Sequence, residues 1–285
     1  MTLIIADLDN TLYSWIDFFA PSFRALTHAI SRTSGVAEDD LYSGFQMTFQ
    51  REGTVEFRNA IQRNVALATI PEGQLNHLVS IGGVAFGRTM RLRLKPYVGV
   101  KSTLIKLREH SVRVVVVTNS DAKQAAWRIR QMGLAKLVDG LVATRDDGTS
   151  SSQDPRAYDA ELERRRRLSG LKWVELVEPG GEKPSTSGYL KALSLSESAS
   201  GSDVFVVGDS KEKDLRPALE LGFHTVWARY GLDYDAKNFE TLLRVTHWSA
   251  ARVHETYRED MAVDYEISSF AELLDIVPGI QLSLF

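Results

Sequence analysis

The chain has 285 residues, enough for one large domain or two ordinary ones, and its 37 acidic and 34 basic side chains give a net charge of −3. A charge this balanced argues against a nucleic-acid polymer as partner, and the lack of cysteine excludes disulfides, thiolate nucleophiles and zinc–thiolate sites. No apolar run approaches the roughly 18 residues of a membrane-spanning helix, so we expect a cytoplasmic protein without a membrane partner.

The chain opens with an apolar run of strand length that ends in two carboxylates. Leu3–Ala6 predicts a strand, Asp7 and Asp9 follow it, and Asn10-Thr11 favours a turn. Side chains alternate along a strand, but beyond its last ladder bond the backbone can rotate, so both carboxylates can converge on one small volume. Alone, this pattern fits a polar strand end as well as a cation site.

Apolar residues at three- and four-residue spacings predict an all-helical block over residues 14–93. Pro21 is expected to kink the first of these helices or to end its first turn. A later helix is predicted after Pro71, with Gly82-Gly83 weakening its middle. The apolar face of the first helix consists of Trp15, Phe18, Phe19, Phe23, Leu26 and Ile30.

Beyond residue 94 the pattern alternates between strand and helix, which predicts an open parallel sheet with right-handed crossovers. Further strands are expected over residues 112–117, 137–143, 173–177, 204–207 and 224–228, and an insertion occupies about 145–182. Helical pieces over 239–245 and 249–257 and a last helix that opens at Ser269 are expected to pack on this sheet. The α/β core therefore comprises residues 1–13 and 94–285.

Polar side chains stand at the ends of several predicted strands. Thr118-Asn119-Ser120 follows the second strand, with Ser120 suited to cap the next helix, and Gly208-Asp209-Ser210 follows a later strand. Asp214 comes five residues after Asp209, and Lys183-Pro184 leads into another helix, with Pro184 suited to its first turn. Because parallel sheets bind ligands beyond the carboxyl ends of their strands, we expect these residues to lie near the first two carboxylates.

This set of residues predicts phosphoryl transfer. Three or more carboxylates around a small volume repel one another unless a cation is present, and oxygen ligands without His or Cys select Mg²⁺. The cation would attract a phosphate, while Thr118, neighbouring N–H groups and Lys183 hold its other oxygens. One carboxylate can then attack phosphorus, and the second acid, two residues away, can supply and remove a proton.

Asp7-x-Asp9-x-Thr11, Thr118-Asn119, Lys183-Pro184 and Gly208-Asp209-Ser210 with Asp214 resemble, in this order, the four motifs of the haloacid dehalogenase-like hydrolase superfamily. The resemblance implies a Rossmann-like α/β core with helices on both faces of its sheet. It also implies a small all-helical cap domain of the C1 type over residues 14–93, acting as a mobile lid, and Mg²⁺ as cofactor.

The resemblance also implies a role for each motif residue. Asp7 would be the nucleophile and a metal ligand, and Asp9 the general acid/base that also lends its backbone carbonyl to the metal. Asp209 would bind the metal directly, and Asp214 would bind it through water or orient its other ligands. Thr118, Asn119 and the catalytic Lys183 would hold the phosphoryl group.

The second acid decides between branches of this superfamily, because the dehalogenase branch lacks it. Asp9 therefore predicts a phosphatase that hydrolyses a small phosphorylated metabolite, and Asn10 is a hint of a nucleotidase-like branch. A phosphomutase and a non-catalytic protein that binds a phosphorylated ligand remain alternatives. Cap side chains such as Arg24 and Arg91 are available to select the substrate, but the sequence specifies neither the phosphomonoester nor the oligomeric state.

Overall fold

The computed structural model describes residues 1–55, 59–145, 155–196, 203–246 and 261–280. The chain divides into two compact units. The α/β unit comprises Met1–Ser14, Lys95–Asp233 and Thr256–Phe285, and the helical unit comprises Trp15–Leu94 and Tyr234–Glu255. In these described ranges no helix is both long enough and apolar enough to cross a membrane.

The strands are β1 (Leu3–Ala6), β2 (Arg113–Asp121), β3 (Gly140–Thr144), β4 (Val174–Leu176), β5 (Val204–Gly208), β6 (His224–Ala228) and β7 (Tyr265–Ile267). Strands β1 to β6 lie in the segments that the hydrophobic pattern predicts, whereas β7 falls in the tail, where the pattern predicts no strand. The helices are α1 (Trp15–Ser34), α2 (Glu38–Glu52), α3 (Ala60–Arg63), α4 (Glu72–Arg93), α5 (Val100–Glu109), α6 (Ala122–Gln131), α7 (Pro155–Ser169), α8 (Ser187–Ser194), α9 (Arg216–Glu220), α10 (Ala236–Val245) and α11 (Leu273–Ile276).

In the described part of the α/β unit, one sheet of seven strands has the order β4-β3-β2-β1-β5-β6-β7. All neighbouring pairs are parallel, which confirms the predicted Rossmann-like fold class. The strands β1 and β5 are buried along their whole length, as expected of β-branched strands covered on both faces. The strand order reverses direction at β1, so the carboxyl end of β1 is the expected ligand site of this topology.

The predicted insertion contributes to the sheet itself. Its described part forms α7 and β4, and β4 pairs in parallel with β3 at the edge of the sheet. The Tyr158 hydroxyl donates a 2.6 Å hydrogen bond to Asp121 Oδ2, which connects α7 to the start of α6. This segment therefore extends the core by one helix and one strand.

Two helix starts differ from the sequence predictions. Strand β2 continues through residues 118–121, and Asp121, not Ser120, caps α6 by accepting hydrogen bonds from the backbone N–H groups of Lys123 and Gln124. Helix α8 begins at Ser187, so Pro184 precedes its first turn. Ser120 contacts Asp9 instead of capping the helix, and Asn119 binds the backbone of Lys183 just before Pro184. Local spacing in the sequence does not encode these distant contacts. The helix predicted over 249–257 lies outside the described residues.

The helical unit is organised by the aromatic face of α1. The ring of Phe23 lies 4.9 Å from that of Phe45 and 5.9 Å from that of Phe49, both on α2. Helix α1 continues through Pro21 instead of ending there. Helix α4 is unbroken at Gly82, where an added Cβ would lie 3.1 Å from the Ile30 side chain, so this glycine permits close packing of α4 on α1.

The helical unit also includes α10, which differs from the expectation that all of residues 94–285 belongs to the core. The later part of the tail does join the sheet as expected, because β7 pairs with β6. Arg24 on α1 donates hydrogen bonds to Thr241 Oγ1 at 2.8 Å and to Asn238 Oδ1 at 2.7 Å. Gln46 on α2 donates to the carbonyl oxygen of Leu243 at 3.3 Å. Polar side chains of α10 therefore bind α1 and its backbone binds α2, and Arg24 is a structural contact of this unit.

Candidate active site

Three carboxylates from separate segments meet at the carboxyl edge of the sheet. Asp7 directly follows β1, and its N–H continues the ladder by donating to the carbonyl oxygen of Val207 at 2.9 Å. Asp209 follows β5, and Asp214 lies in the helical turn that comes next. Each offers a carboxylate oxygen within 4.8 Å of those of the other two. The sheet thus assembles an acidic cluster from residues up to 207 positions apart.

A buried lysine contacts two members of this cluster. Lys183 Nζ donates to Asp7 Oδ1 and, at 2.6 Å, to Asp214 Oδ1, and its side chain is 5% exposed. The Asn119 side chain fixes the lysine backbone, since Asn119 Oδ1 accepts from Lys183 N–H at 2.8 Å and Asn119 Nδ2 donates to Lys183 O at 2.9 Å. The amide of Asn119, predicted to hold phosphate, is therefore engaged with Lys183 instead.

The electrostatics of the cluster leave it short of positive charge. Burial, opposed by Lys183 and reinforced by Asp214 and Asp9, raises the pKa of Asp7 from 3.8 to about 7. Burial and the neighbouring carboxylates of Asp214 and Asp7 raise the pKa of Asp209 well above its usual range. Burial alone would lower the pKa of Lys183, but Asp214 and Asp7 raise it well above its usual range. Among the described residues, the ammonium of Lys183 contacts two of the three carboxylates and the charge of Lys213 also acts on Asp209, yet the pKa values of Asp7 and Asp209 stay raised. The cluster therefore favours binding either protons or a further cation.

The carboxylate of Asp214 is held in place by contacts that the motif did not reveal. Its Oδ2 accepts from the backbone N–H of Ser210 at 3.0 Å, and the Tyr189 hydroxyl donates to its backbone carbonyl at 3.0 Å. A Cβ at Gly208 would overlap the Asp214 carboxylate, which explains a glycine at this position. Both carboxylate oxygens of Asp214 therefore already accept hydrogen bonds within the protein.

Asp9 is held apart from this cluster by a second set of donors. Its Oδ1 accepts from the Tyr13 hydroxyl and from Arg128 Nη1 at 3.3 Å, and its Oδ2 accepts from Ser120 Oγ at 2.6 Å. Arg128 Nη1 also donates to Ser120 Oγ at 3.1 Å. Sequence reasoning missed Tyr13 and Arg128 and assigned Ser120 to a helix cap. The side chain of Asp9 is 24% exposed and that of Arg128 is 5% exposed.

The turn that carries Asp7 and Asp9 is fixed by its own residues and by the segment after β6. Thr11 Oγ1 donates to Asp7 Oδ2 at 3.2 Å, and Asn10 has a positive φ of 58°, which Asn tolerates better than most residues. The Tyr230 hydroxyl donates to Thr11 O at 2.7 Å. A Cβ at Gly231 would overlap the carbonyl oxygen of Asn10, so only glycine allows this close approach.

Thr118 lies beside the same edge. Its side chain is buried, and its Oγ1 accepts the N–H of Ser120 at 3.1 Å, which leaves the hydroxyl hydrogen available as a donor. The predicted residues thus separate into an acidic cluster with Lys183, a hydroxyl donor at Thr118, a backbone clamp at Asn119, and the independently held Asp9.

The three carboxylates fit a hard divalent cation. Their oxygens are close enough to share one ion, and no His or Cys is among them. The raised pKa values of Asp7 and Asp209 mean that their ionised forms are unfavourable here, and a bound cation would favour those forms. Asp7 and Asp209 are the candidates for direct ligands. Because both oxygens of Asp214 already have protein donors, Asp214 suits contact through water.

Comparisons with known proteins agree with this fold. A family model described as haloacid dehalogenase-like hydrolase matches residues 1–222. The chain is 24% identical over 277 residues to the glyceraldehyde 3-phosphate phosphatase of Methanopyrus kandleri, and the alignment covers 96% of each protein.

Solved structures of similar fold include the 2-haloacid dehalogenase of Pseudomonas syringae pv. Tomato DC3000, with 17% identity, a TM-score of 0.53 and 97% of both chains covered. The HAD-hydrolase YfnB of Bacillus subtilis, solved bound to magnesium, has 13% identity and a TM-score of 0.51, with 97% of this chain and 98% of that one covered. At such identities these structures show a common fold.

Proposed function

Since the chain belongs to the haloacid dehalogenase-like hydrolase family, we propose that it is a Mg²⁺-dependent phosphatase that hydrolyses a small phosphomonoester through an aspartyl-phosphate on Asp7. One observation carries this proposal. The ammonium of Lys183 contacts both Asp7 and Asp214. The carboxylate of Asp209 lies close enough to both for the three to bind one cation. A carboxylate needs such compensation before it can attack a phosphate dianion.

Each residue has a distinct part in the proposed reaction. Asp7 attacks phosphorus in line, and Lys183 offsets its repulsion from the incoming phosphate while contacting a phosphoryl oxygen. Thr118 donates to a second phosphoryl oxygen, and Asn119 acts by holding the backbone of Lys183 in register. Asp9 gives a proton to the leaving alcohol and later takes one from the water that attacks the aspartyl-phosphate.

A bound Mg²⁺ would supply positive charge that attracts the phosphate and offsets the charge of the carboxylates. We propose that Asp7, Asp209 and the backbone carbonyl of Asp9 hold it directly and that Asp214 holds it through water. This assignment follows the family pattern and is supported by the closeness of the three carboxylates.

Proton transfer distinguishes phosphate from halide chemistry. A halide leaves carbon as a stable anion and needs no proton donor, whereas an alcohol leaving phosphorus does. Asp9 is a carboxylate two residues from the nucleophile, and hydrogen bonds from Tyr13, Ser120 and Arg128 fix its orientation for proton transfer. Phosphate ester hydrolysis therefore uses the residues present, and dehalogenation would leave Asp9 without a role.

The substrate class that we propose is a small phosphorylated metabolite. The relative from Methanopyrus kandleri acts, by its name, on glyceraldehyde 3-phosphate, and it aligns over 96% of this chain. Triose phosphates are therefore the first compounds to assay, followed by other sugar phosphates and nucleoside monophosphates.

Phosphate release from this panel, with and without Mg²⁺, tests the proposed function. We expect Mg²⁺-dependent release from at least one compound and none with Asp7→Asn, while Asp275→Asn, which changes an exposed carboxylate, keeps wild-type activity. Free phosphate as the product separates hydrolysis from transfer to a second hydroxyl. Equal activity of Asp7→Asn and wild type would refute the proposal.

A further inference from the structure

Two carboxylates of one turn are held by two different cations. Lys183 contacts Asp7, whereas Arg128 contacts Asp9 together with Ser120 and Tyr13. Asp9 lies outside the group of carboxylates close enough to share a metal ion. The contacts of the Asp9 carboxylate are therefore separate from those of the three clustered carboxylates, and a change in one set can leave the other intact.

The donors around Asp9 are distributed unevenly between its two oxygens. A carboxylate has about four lone-pair sites. Among the described residues, Tyr13 and Arg128 donate to Oδ1 and Ser120 alone donates to Oδ2. The lone pair to which no described residue donates is thus on Oδ2.

From this arrangement we infer that Arg128 and Ser120 are positioning residues for Asp9, and that the proton of the reaction moves through Asp9 Oδ2. The inference rests on the proposed phosphatase function and adds to it an arginine that lies on α6, outside the recognised motifs. Arg128 does not touch the substrate in this account. It acts by fixing the direction in which Asp9 presents its remaining lone pair.

The position of Arg128 is itself well fixed. Its side chain is 5% exposed, and the start of α6 is anchored by Asp121, which caps the helix and accepts a 2.6 Å hydrogen bond from Tyr158. Since Arg128 Nη1 donates to Ser120 Oγ at 3.1 Å, the hydrogen of that hydroxyl points to Asp9 Oδ2. The chain Arg128 to Ser120 to Asp9 therefore orients both carboxylate oxygens.

The proton balance of the two steps uses this one oxygen. In the first step Asp7 Oδ forms a bond to phosphorus, the bond from phosphorus to the ester oxygen breaks, and protonated Asp9 Oδ2 gives its proton to the leaving oxygen. In the second step water forms a bond to phosphorus, the Asp7–phosphorus bond breaks, and Asp9 Oδ2 takes the proton of the water. The cycle returns Asp7 ionised and Asp9 protonated.

Two substrates with different leaving groups show whether a variant loses activity because Asp9 is misplaced or because the whole site is disturbed. Glycerol phosphate loses an alkoxide that must be protonated, whereas p-nitrophenyl phosphate loses an anion stable without a proton. Arg128→Met removes the donor but keeps an apolar side chain of similar length. We expect kcat to fall about 30-fold or more on glycerol phosphate and less than about threefold on p-nitrophenyl phosphate, within the range of acid/base contributions.

Three further variants complete the design. Arg128→Lys, which retains a cationic donor, should regain most of the activity on glycerol phosphate. Ser120→Ala should give the same split between substrates, about tenfold on glycerol phosphate, and it carries the test if Arg128→Met fails to fold. Arg130→Met removes an exposed arginine of the same helix and should match wild type on both substrates. Mg²⁺ affinity, measured by calorimetry, should be unchanged in all of them.

The outcomes distinguish this inference from the proposed function. If wild type hydrolyses both substrates and Asp7→Asn hydrolyses neither, but Arg128→Met and Ser120→Ala lose both activities equally or lose neither, the positioning role is refuted and the phosphatase stands. If wild type releases no phosphate from either substrate or from the wider panel, the phosphatase and the positioning role are both refuted.

Discussion

Replacing Asp7 by asparagine should stabilise the metal-free protein at alkaline pH. Burial and neighbouring carboxylates raise the pKa of Asp7 from 3.8 to about 7, a difference that corresponds to about 4 kcal/mol. Because the Asp7 carboxyl holds its proton more tightly in the folded state than in the unfolded chain, the folded state binds more protons between pH 3.8 and about 7. Its stability therefore falls as pH rises through that window. The asparagine side chain has the same shape, can still accept from Lys183 and carries no charge.

The assay is urea unfolding in EDTA at pH 5 and at pH 8. We expect Asp7→Asn to be more stable than wild type by about 1–2 kcal/mol at pH 5 and by up to about 4 kcal/mol at pH 8. Saturating Mg²⁺ should reduce the difference, because wild type gains binding free energy that the variant largely loses. Asp275→Asn, at an exposed position, should follow wild type throughout. If the variant is no more stable than wild type at pH 8 in EDTA, the buried charge of Asp7 does not destabilise the folded protein.

Two other substitutions test contacts outside the acidic cluster. Gly231→Ala should lower the free energy of unfolding by about 1–3 kcal/mol and kcat by about tenfold or more, because its Cβ would displace Asn10 in the turn that carries Asp7 and Asp9. Gly83→Ala is the control: its Cβ meets no atom within 4 Å, so it should not lower kcat. Equal kcat for Gly231→Ala and wild type would contradict this. Arg24→Met should lower the free energy of unfolding by about 1–3 kcal/mol and speed hydrogen exchange in α10, since it removes hydrogen bonds that hold this helix. Unchanged exchange would contradict this. Arg88→Met, at an exposed position, is the control.

Most of the sheet could be predicted because its signals are local. Buried parallel strands are continuous β-branched runs, so β1, β2 and β5 are evident from composition alone. The same holds for Asp7 and Asp209, which directly follow such runs. The place of α10 could not be predicted, because its amphipathic pattern specifies a buried face without specifying the partner of that face. Its polar bonds to Arg24 join residues more than 200 positions apart.

The supporting contacts of the site escaped prediction for the same physical reason. In the sequence, Arg128 is one of several basic residues on an amphipathic helix. It reaches Asp9, 119 positions away, only because α6 packs beside the turn that carries Asp9. Gly231 has no sequence signal beyond its residue type, because the backbone it approaches belongs to the first turn. Motif residues are therefore recoverable from sequence, whereas the residues that orient them depend on tertiary packing.

The proposed mechanism requires Asp7 to become phosphorylated during turnover, which mass spectrometry of acid-quenched enzyme can detect. Wild type mixed with a hydrolysed phosphomonoester and Mg²⁺, quenched during turnover and digested, should carry one phosphoryl group on the peptide that contains Asp7. The same peptide from Asp7→Asn should carry none. Turnover without phosphate on Asp7, together with inversion of configuration at phosphorus, would contradict the account, because it would mean that water attacks the substrate directly.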